Sequence, residues 1–282
     1  MPDRVKLWRK FWTSCLPNCH VERRRDIPRN HLEQCAGVLR LRCASLGMTE
    51  QLFRSLQICH ESCPHSASMN MSIDEALLES TSIPTIRFYD WRSPALSFGY
   101  FGKFSDVAIY AVERDLVRRW TGGGIVFHGA DLTYSIVIPA SDPVFDESSI
   151  AIYEKIHRAL AHALNEVGER AIVAGGVDPG GIAFSKHAAV SAGGYNCFMN
   201  PVRADVMIRG RKIAGAAQRR TRRGLLQQGS IQGFVMETDL AQKFAQALSG
   251  NCSDFEINEE ILQRAQEVAQ QKYGTESWLR MR

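Results

Sequence analysis

The 282-residue chain contains no apolar run near the roughly 20 residues that a membrane-spanning helix requires, which argues against a spanning protein. Its opening stretch, MPDRVKLWRKFW, is basic and aromatic and lacks the apolar centre of a secretory signal. Cysteine is scarce over most of the length: of eight in all, only Cys197 and Cys252 lie beyond residue 65. Disulfides need an oxidising compartment, for which the sequence carries no signal. No internal repeat is visible. What is present excludes wholesale disorder, because 45% of residues are hydrophobic, 9% aromatic and only 23% charged.

Charge and cysteine are unevenly placed. Residues 1–65 hold 11 Lys/Arg against six Asp/Glu, together with Cys15, Cys19, Cys35, Cys43, Cys59 and Cys63. The rest is near neutral, with 23 basic and 24 acidic residues. The composition therefore predicts two parts: 1–65, a basic, Cys-rich extension that is poorly ordered or lies upstream of an internal start at Met48, Met69 or Met71, and 66–282, the working domain. Cys15, Cys19 and His20 with Cys59 and Cys63 could supply zinc ligands, but no strand or turn pattern frames them and the expectation is no metal. A near-neutral domain without a supporting motif argues against a nucleic-acid partner.

Ser72 and Glu75 have capping-box spacing and predict a helix from there to about Glu79. Thr85–Trp91 and Ala95–Tyr100 flank Ser93-Pro94 and predict two strands around a turn. Apolar Val107, Ile109, Val112 and Val117 predict a helix over 106–118, and strands follow at Ile125–Phe127 and Leu132–Pro139. A helix is expected over 150–167, closed by Gly168. Ala171–Ala192 is Gly-rich and irregular. A hairpin is expected across Arg209-Gly210-Arg211, then a strand over Leu225–Val235 and helices near 239–248 and 258–273. The uneven alternation predicts an α+β fold, a mixed β-sheet with packed helices.

Three segments could carry chemistry. Arg118-Arg119-Trp-Thr-Gly122-Gly123-Gly124 precedes a strand, and three glycines let backbone approach a bound group and offer N–H donors. The run has neither G-x-G-x-x-G nor a following Gly-Lys-Ser/Thr, so it is neither a dinucleotide fingerprint nor a P-loop. As a bare triple glycine it reads first as a tight turn entering a strand. Lys212, in Gly210-Arg-Lys-Ile-Ala-Gly215, follows a turn and precedes small residues, so it could reach a cleft or stay solvated. Cys197 sits in a Gly-rich stretch ahead of a strand, where it is either a small hydrophobe or, beside a cation, a nucleophile. The run Arg219-Arg220-Thr-Arg222-Arg223 reads as a solvated turn or as a docking site for an acidic partner.

Together these segments resemble the lipoate–protein ligase and octanoyltransferase superfamily, whose catalytic domain is shared with biotin protein ligases. The first motif runs from Arg118 through His128 to Asp131-Leu-Thr-Tyr-Ser135. The second runs through Cys197-Phe-Met-Asn-Pro201, Asp205-Val206, Gly210–Gly215, Ala217-Gln218 and Gly229-Ser-Ile231. Both occur in the family's order, and the resemblance covers roughly residues 68–235.

The resemblance implies an enzyme of lipoate biosynthesis and protein lipoylation, with a biotin/lipoyl ligase-like fold. Lys212 inherits the lysine that binds the acyl carbonyl end. Arg119, Gly122, Gly123, Gly124, Ile125, Val126, Phe127 and His128 fall on the acyl-binding segment. Cys197 before Phe198 matches the thioester cysteine of one octanoyltransferase branch, whereas Gly124 resembles the ligase form of the loop. The first reading is therefore an octanoyltransferase using Cys197 and Lys212 without a cofactor. It would move an octanoyl or lipoyl group from octanoyl-acyl carrier protein to a lysine of lipoyl domains. Those acceptors belong to 2-oxoacid dehydrogenase complexes and the glycine cleavage H protein. The second is a lipoate–protein ligase using ATP and Mg through an acyl-adenylate. The third is a non-catalytic acyl- or lipoyl-domain-binding module. His128 is a candidate base for the acceptor amine, and the implied location is cytoplasmic.

Overall fold

A computed structural model describes residues 51–175, 202–233 and 239–281. Cys197, most of the Gly-rich stretch after residue 175 and residues 234–238 lie outside them.

Among the described residues the first strand is β1 (Leu56–His60), and Phe53 just before it is 2% exposed. Packed structure is thus present ahead of the boundary that composition placed at residue 65. The short strand was hidden because Arg54, Cys59 and Cys63 share the composition of the residues upstream. Cys59 is buried in this strand and burial pushes its thiol up to about 12, so it stays protonated and unsuited to metal. Among the described residues no cluster of three His, Cys, Asp or Glu side chains is placed to hold a metal ion.

Helix α1 (Ala67–Ser80) follows, capped by Ser66, whose hydroxyl accepts from the Met69 amide. The expected cap, Ser72, lies inside the helix, where its hydroxyl donates to the Ser68 carbonyl. Six strands come next: β2 (Thr85–Tyr89), β3 (Ala95–Phe98), β4 (Asp115–Arg118), β5 (Val126–His128), β6 (Leu132–Pro139) and, after helix α2 (Ser149–Glu166), β7 (Ala171–Val173). Then β8 (Val206–Ile208), β9 (Arg211–Arg220) and β10 (Gly224–Ile231) precede α3 (Leu240–Leu248), β11 (Cys252–Asp254), α4 (Glu259–Val268) and α5 (Glu276–Leu279).

These strands form two sheets. The larger has the order β11-β1-β2-β6-β10-β9-β8-β7, with parallel pairs on one side and antiparallel pairs through the rest. The smaller has the order β4-β3-β5. The fold is α+β, as expected. β2 and β3 do not make a hairpin, because Ser93-Pro94 carries the chain from one sheet to the other.

Alternation along the central strands explains the layering. Tyr134, Ile136 and Ile138 of β6 join α2 and α3, through Ile152, Ile156, Leu160, Leu240, Phe244 and Leu248. Val137 of β6 and Leu226 of β10 face α1 and α4, against Ile73, Leu77, Ile261 and Ala265. Both faces are covered, which is why β10 is buried at every residue.

The helix expected over 106–118 does not form. Two single 3₁₀ turns (Phe104–Asp106 and Ala108–Tyr110) lead into β4. Val107 and Val117 are buried, but Ile109 and Val112 are 80% and 94% exposed, so helical spacing did not reflect a buried face. The predicted 258–273 helix is α4 extended by a π-helical turn, Ala269–Tyr273. No helix among the described residues is long and apolar enough to cross a membrane.

Candidate active site

Several of the candidate residues, Cys197 lying outside the described ones, line a cleft where the two sheets adjoin. Its walls include Trp91, Ser97, Arg119, Gly123, Val126, His128 and Lys212, with the backbone of Gly215–Ala217 and Gln228–Ser230.

The glycine loop joins β4 to β5 and lies against the end of β3. A Cβ on Gly99 would stand 2.0 Å from the Gly123 carbonyl oxygen and 2.7 Å from that of Gly122, so only glycine permits this approach. Gly123 has φ +84°, the left-handed region that glycine enters without strain. Arg119 holds the loop from within. Its Nη2 donates to the Gly122 and Gly124 carbonyls at 3.0 and 2.8 Å, while Nη1 donates to Ser97 Oγ at 2.6 Å. The Thr121 hydroxyl donates to Gln228 Oε1 at 2.8 Å, tying the loop to β10.

Val126 and His128 also reach the cleft. Phe127 on β5 and Ile125 just before it pack instead with Leu96, Phe98 and Val107 in the core of the small sheet. Strand alternation sends them to the other face. Arg118, beside Arg119, is also turned away. It is fully buried and donates to the carbonyls of Tyr100, Gly102, Trp278, Leu279 and Met281.

Lys212 on β9 is 5% exposed, with Nζ 2.8 Å from Asp205 Oδ2. Asp205 also accepts from the Val202 amide at 2.7 Å and from the Tyr153 hydroxyl at 2.6 Å. Tyr153 in turn accepts from the Ala216 amide. A Cβ on Gly215 would lie 2.5 Å from Lys212 Cε and 2.7 Å from Nζ, so the lysine folds back across this glycine. Behind Asp205, Ala204 adopts φ 70° and its carbonyl accepts from His157 Nδ1 at 2.7 Å.

His128 stacks on Trp91 with ring centroids 4.1 Å apart. Its Nδ1 lies 2.8 Å from Asp131 Oδ2 and its Nε2 2.7 Å from Ser97 Oγ. Burial is the largest influence on the imidazole and holds it below its ordinary pKa; Asp131 opposes this, while Arg119 and Arg114 add to it. Asp131 also accepts from Thr133, Ser230 and the Gly129 amide. Burial works against its ionisation, but these hydrogen bonds and His128 outweigh it and keep the carboxylate below its usual range.

Under the cleft, Asp74 of α1 accepts from Arg87, Ser135 and Gln228 at 2.7–2.8 Å. Asp74, Ser97, Tyr153 and Gln228 were not singled out by sequence reasoning. Asp131, Asp205 and Ser230 stood in the motif runs but carried no assigned role. The basic run forms the β9–β10 turn, where Arg220 bonds the Phe145 and Glu147 carbonyls and Arg223 pairs with Glu79.

The chain belongs to the lipoyl protein ligase A/B catalytic domain family, whose model matches residues 66–266. It is 38% identical over 180 residues to octanoyltransferase LipM of Oceanobacillus iheyensis, covering 61% of this chain and 62% of the relative. To octanoyltransferase LipM of Brevibacillus brevis it is 34% identical over 183 residues, covering 62% and 64%. The chain thus spans less than two thirds of the length of these relatives. The fold matches a lipoate protein ligase of T. acidophilum solved with bound lipoic acid (TM-score 0.59, 21% identity, 79% of this chain and 97% of the other). It also matches a lipoate-protein ligase A bound with ATP (TM-score 0.60, 20% identity, 80% and 97%).

Proposed function

We propose that this protein transfers an octanoyl or lipoyl group to a lysine of lipoyl domains, taking octanoate from octanoyl-acyl carrier protein through a Cys197 thioester. The observation that carries this reading is the buried Lys212–Asp205 pair on the wall of the cleft, facing the glycine loop. A lysine so placed can donate to an acyl carbonyl and oppose the negative charge that gathers on its oxygen. The octanoyltransferase relatives supply the acyl group, and Cys197-Phe198 supplies the nucleophile by its place in the motif order.

In the first half-reaction the Cys197 thiolate attacks the carrier thioester and expels the carrier thiolate. In the second, a lipoyl-domain lysine attacks the octanoyl-enzyme, giving an amide and regenerating the thiol. Neither half requires ATP, Mg or another cofactor. Arg119 holds the glycine loop in shape, and Gly123, Val126 and His128 contact the acyl chain end. The acceptors are lipoyl domains of 2-oxoacid dehydrogenase complexes and the glycine cleavage H protein, within the cytoplasm.

The test offers apo lipoyl domain two mixtures: octanoyl-acyl carrier protein without ATP, or free lipoate with ATP and Mg. The expected result is acceptor modification in the first mixture only, with an octanoyl adduct on Cys197 by mass spectrometry and loss of transfer in Cys197→Ser. Modification only with lipoate and ATP, retained in Cys197→Ser, would instead establish a ligase. Acyl or lipoyl-domain binding with no modification in either mixture would establish a binding module.

A further inference from the structure

Resting on the reading of this cleft as the acyl-transfer site, we propose that Gln228 is a positioning residue for the reaction: its side-chain amide, oriented by Asp74, latches Thr121 and so sets where the glycine loop stands across the cleft. Gln228 belongs to the large sheet, and Thr121 to the loop between two strands of the small one. Their hydrogen bond therefore joins the two walls.

Strand register builds the latch. Arg87 of β2 stands opposite Ser135 of β6, and Ser135 opposite Gln228 of β10, so the three side chains form one row on one face of the sheet. Asp74 of α1 lies over that row. Its Oδ1 accepts from Arg87 at 2.8 Å and Ser135 at 2.7 Å, and its Oδ2 accepts from Gln228 Nε2 at 2.7 Å and, farther off, from the Tyr89 hydroxyl at 3.4 Å. The amide nitrogen also meets Met71 Sδ at 3.2 Å.

These contacts admit one orientation of the amide. Nε2 faces Asp74, because the reverse would set the amide oxygen against a carboxyl oxygen at the same distance. Oε1 then points to the loop and has no hydrogen to give, so Thr121 Oγ1 donates to it at 2.8 Å. Asp74, Arg87 and Thr121 are fully buried, so water does not compete for these bonds.

The latch acts where position matters. Arg119 and Gly99 hold the loop from within the small sheet. Gln228 fixes it against the large sheet, whose neighbouring strand β9 carries Lys212. Loop and lysine both face the acyl group in the transferase reading, and a relative shift of about 1 Å between them is enough to slow transfer severely.

The test cuts the latch at either end in the full-length protein. Gln228→Leu removes the amide at nearly constant volume, and Thr121→Val removes the hydroxyl and keeps the branched shape. Each should speed hydrogen exchange over residues 119–125 about tenfold. Each should also lower kcat for octanoyl transfer from octanoyl-acyl carrier protein about tenfold, with KM for the apo lipoyl domain within about twofold of wild type. The double variant should lose no more than about twofold beyond either single one, since both cut the same bond.

Gln228→Glu is the conservative variant. Protonated, its acid O–H donates to Asp74 and its carbonyl accepts from Thr121, so the latch closes. Ionised, it meets Asp74 as a like charge and the latch opens. The titratable and charged groups facing this position are Asp74 from α1 and Arg87 and Tyr89 from β2, with Glu61 on the far side of Arg87. Its transfer rate relative to wild type should therefore be near unity at about pH 6 and fall toward about pH 9.

Three results would overturn the proposal: wild-type transfer in both single variants, losses that multiply in the double variant, or a Gln228→Glu rate ratio no higher at pH 6 than at pH 9. Thr121→Val leaves Asp74 fully bonded and carries the test if Gln228→Leu does not fold. Faster loop exchange in the variants of a wild-type protein that transfers no octanoyl group would overturn the transferase reading and leave the latch standing.

Discussion

His157 is fully buried beneath Ala204, and lowering the pH forces a charge into a site built for a neutral ring. Burial is the main cause holding its pKa at about 4 against an ordinary 6.5; the Ala204 carbonyl and Asp205 oppose the shift and Lys212 adds to it. Between those values the unfolded chain binds a proton that the folded chain refuses. Stability is therefore complete above 6.5 and is lost as the pH falls toward 4. A gap of roughly 2.5 pH units corresponds to about 3 kcal/mol, of which about 2.5 kcal/mol is developed by a pH near 4.5. His128 and His60, also held low by burial, push the same way, so the wild-type slope alone does not isolate His157. His157→Asn does, because an amide donates to the Ala204 carbonyl without titrating. Urea unfolding at several pH values from about 7.5 to 4.5 should show the variant less stable at the upper end, from lost packing. Its acid loss should be about 2.5 kcal/mol smaller than that of wild type. Curves that stay parallel to within about 0.5 kcal/mol would refute the reasoning, since the linkage would then lie elsewhere.

Two further perturbations probe the elements around the cleft. Gly215→Ala places a methyl group within 2.7 Å of Lys212 Nζ, so transfer activity should fall by at least about tenfold while the thermal midpoint moves by only a few degrees; an active variant would show that Lys212 does not need its present path. Arg118→Gln strips donors from five backbone carbonyls and should cost about 3 kcal/mol. Limited proteolysis should then cut first in residues 275–281, and an unchanged cleavage pattern would refute the anchoring role.

The large elements were legible because their burial is periodic. The helix over 149–166 repeats Ile152, Ile156, Leu160 and Leu164 on its inner face, and β6 is long, β-branched and flanked by turns. The segment 106–118 carried a similar signal without the burial, since Ile109 and Val112 face solvent and the chain was claimed by parallel pairing with β3. β1 and β11 are short strands that form by parallel pairing, β11 on the edge of β1 and β1 on β2, a non-local pairing that no local pattern announces. The glycine loop, Lys212 and His128 were legible as motif residues, but their supports were not. Ser97 meets His128 across 31 positions, Tyr153 meets Asp205 across 52, and Thr121 meets Gln228 across 107. Such partners are polar residues on strands and helices, and only the fold reveals which face they share.

The two consecutive arginines show how that non-local support makes the loop rigid. At the end of β4, Arg118 and Arg119 turn to opposite sides, and each donates to backbone carbonyls. Arg119 gathers the glycine loop from the cleft side, and Arg118 gathers the C-terminal residues from the other. Between them, Trp120 takes the Lys272 ammonium 4.1 Å from its ring centroid, and Lys272 reaches Glu75 of α1 at 2.5 Å. The π-helical turn, by adding a residue to the helical repeat, presents Lys272 and Tyr273 together to Glu75. The loop is thereby fixed by α1, by the C-terminal turn and by Gly99 at once. The C-terminal residues are tied to this loop from behind, because Arg118 bonds their carbonyls and Trp120 takes Lys272 within one residue of Arg119.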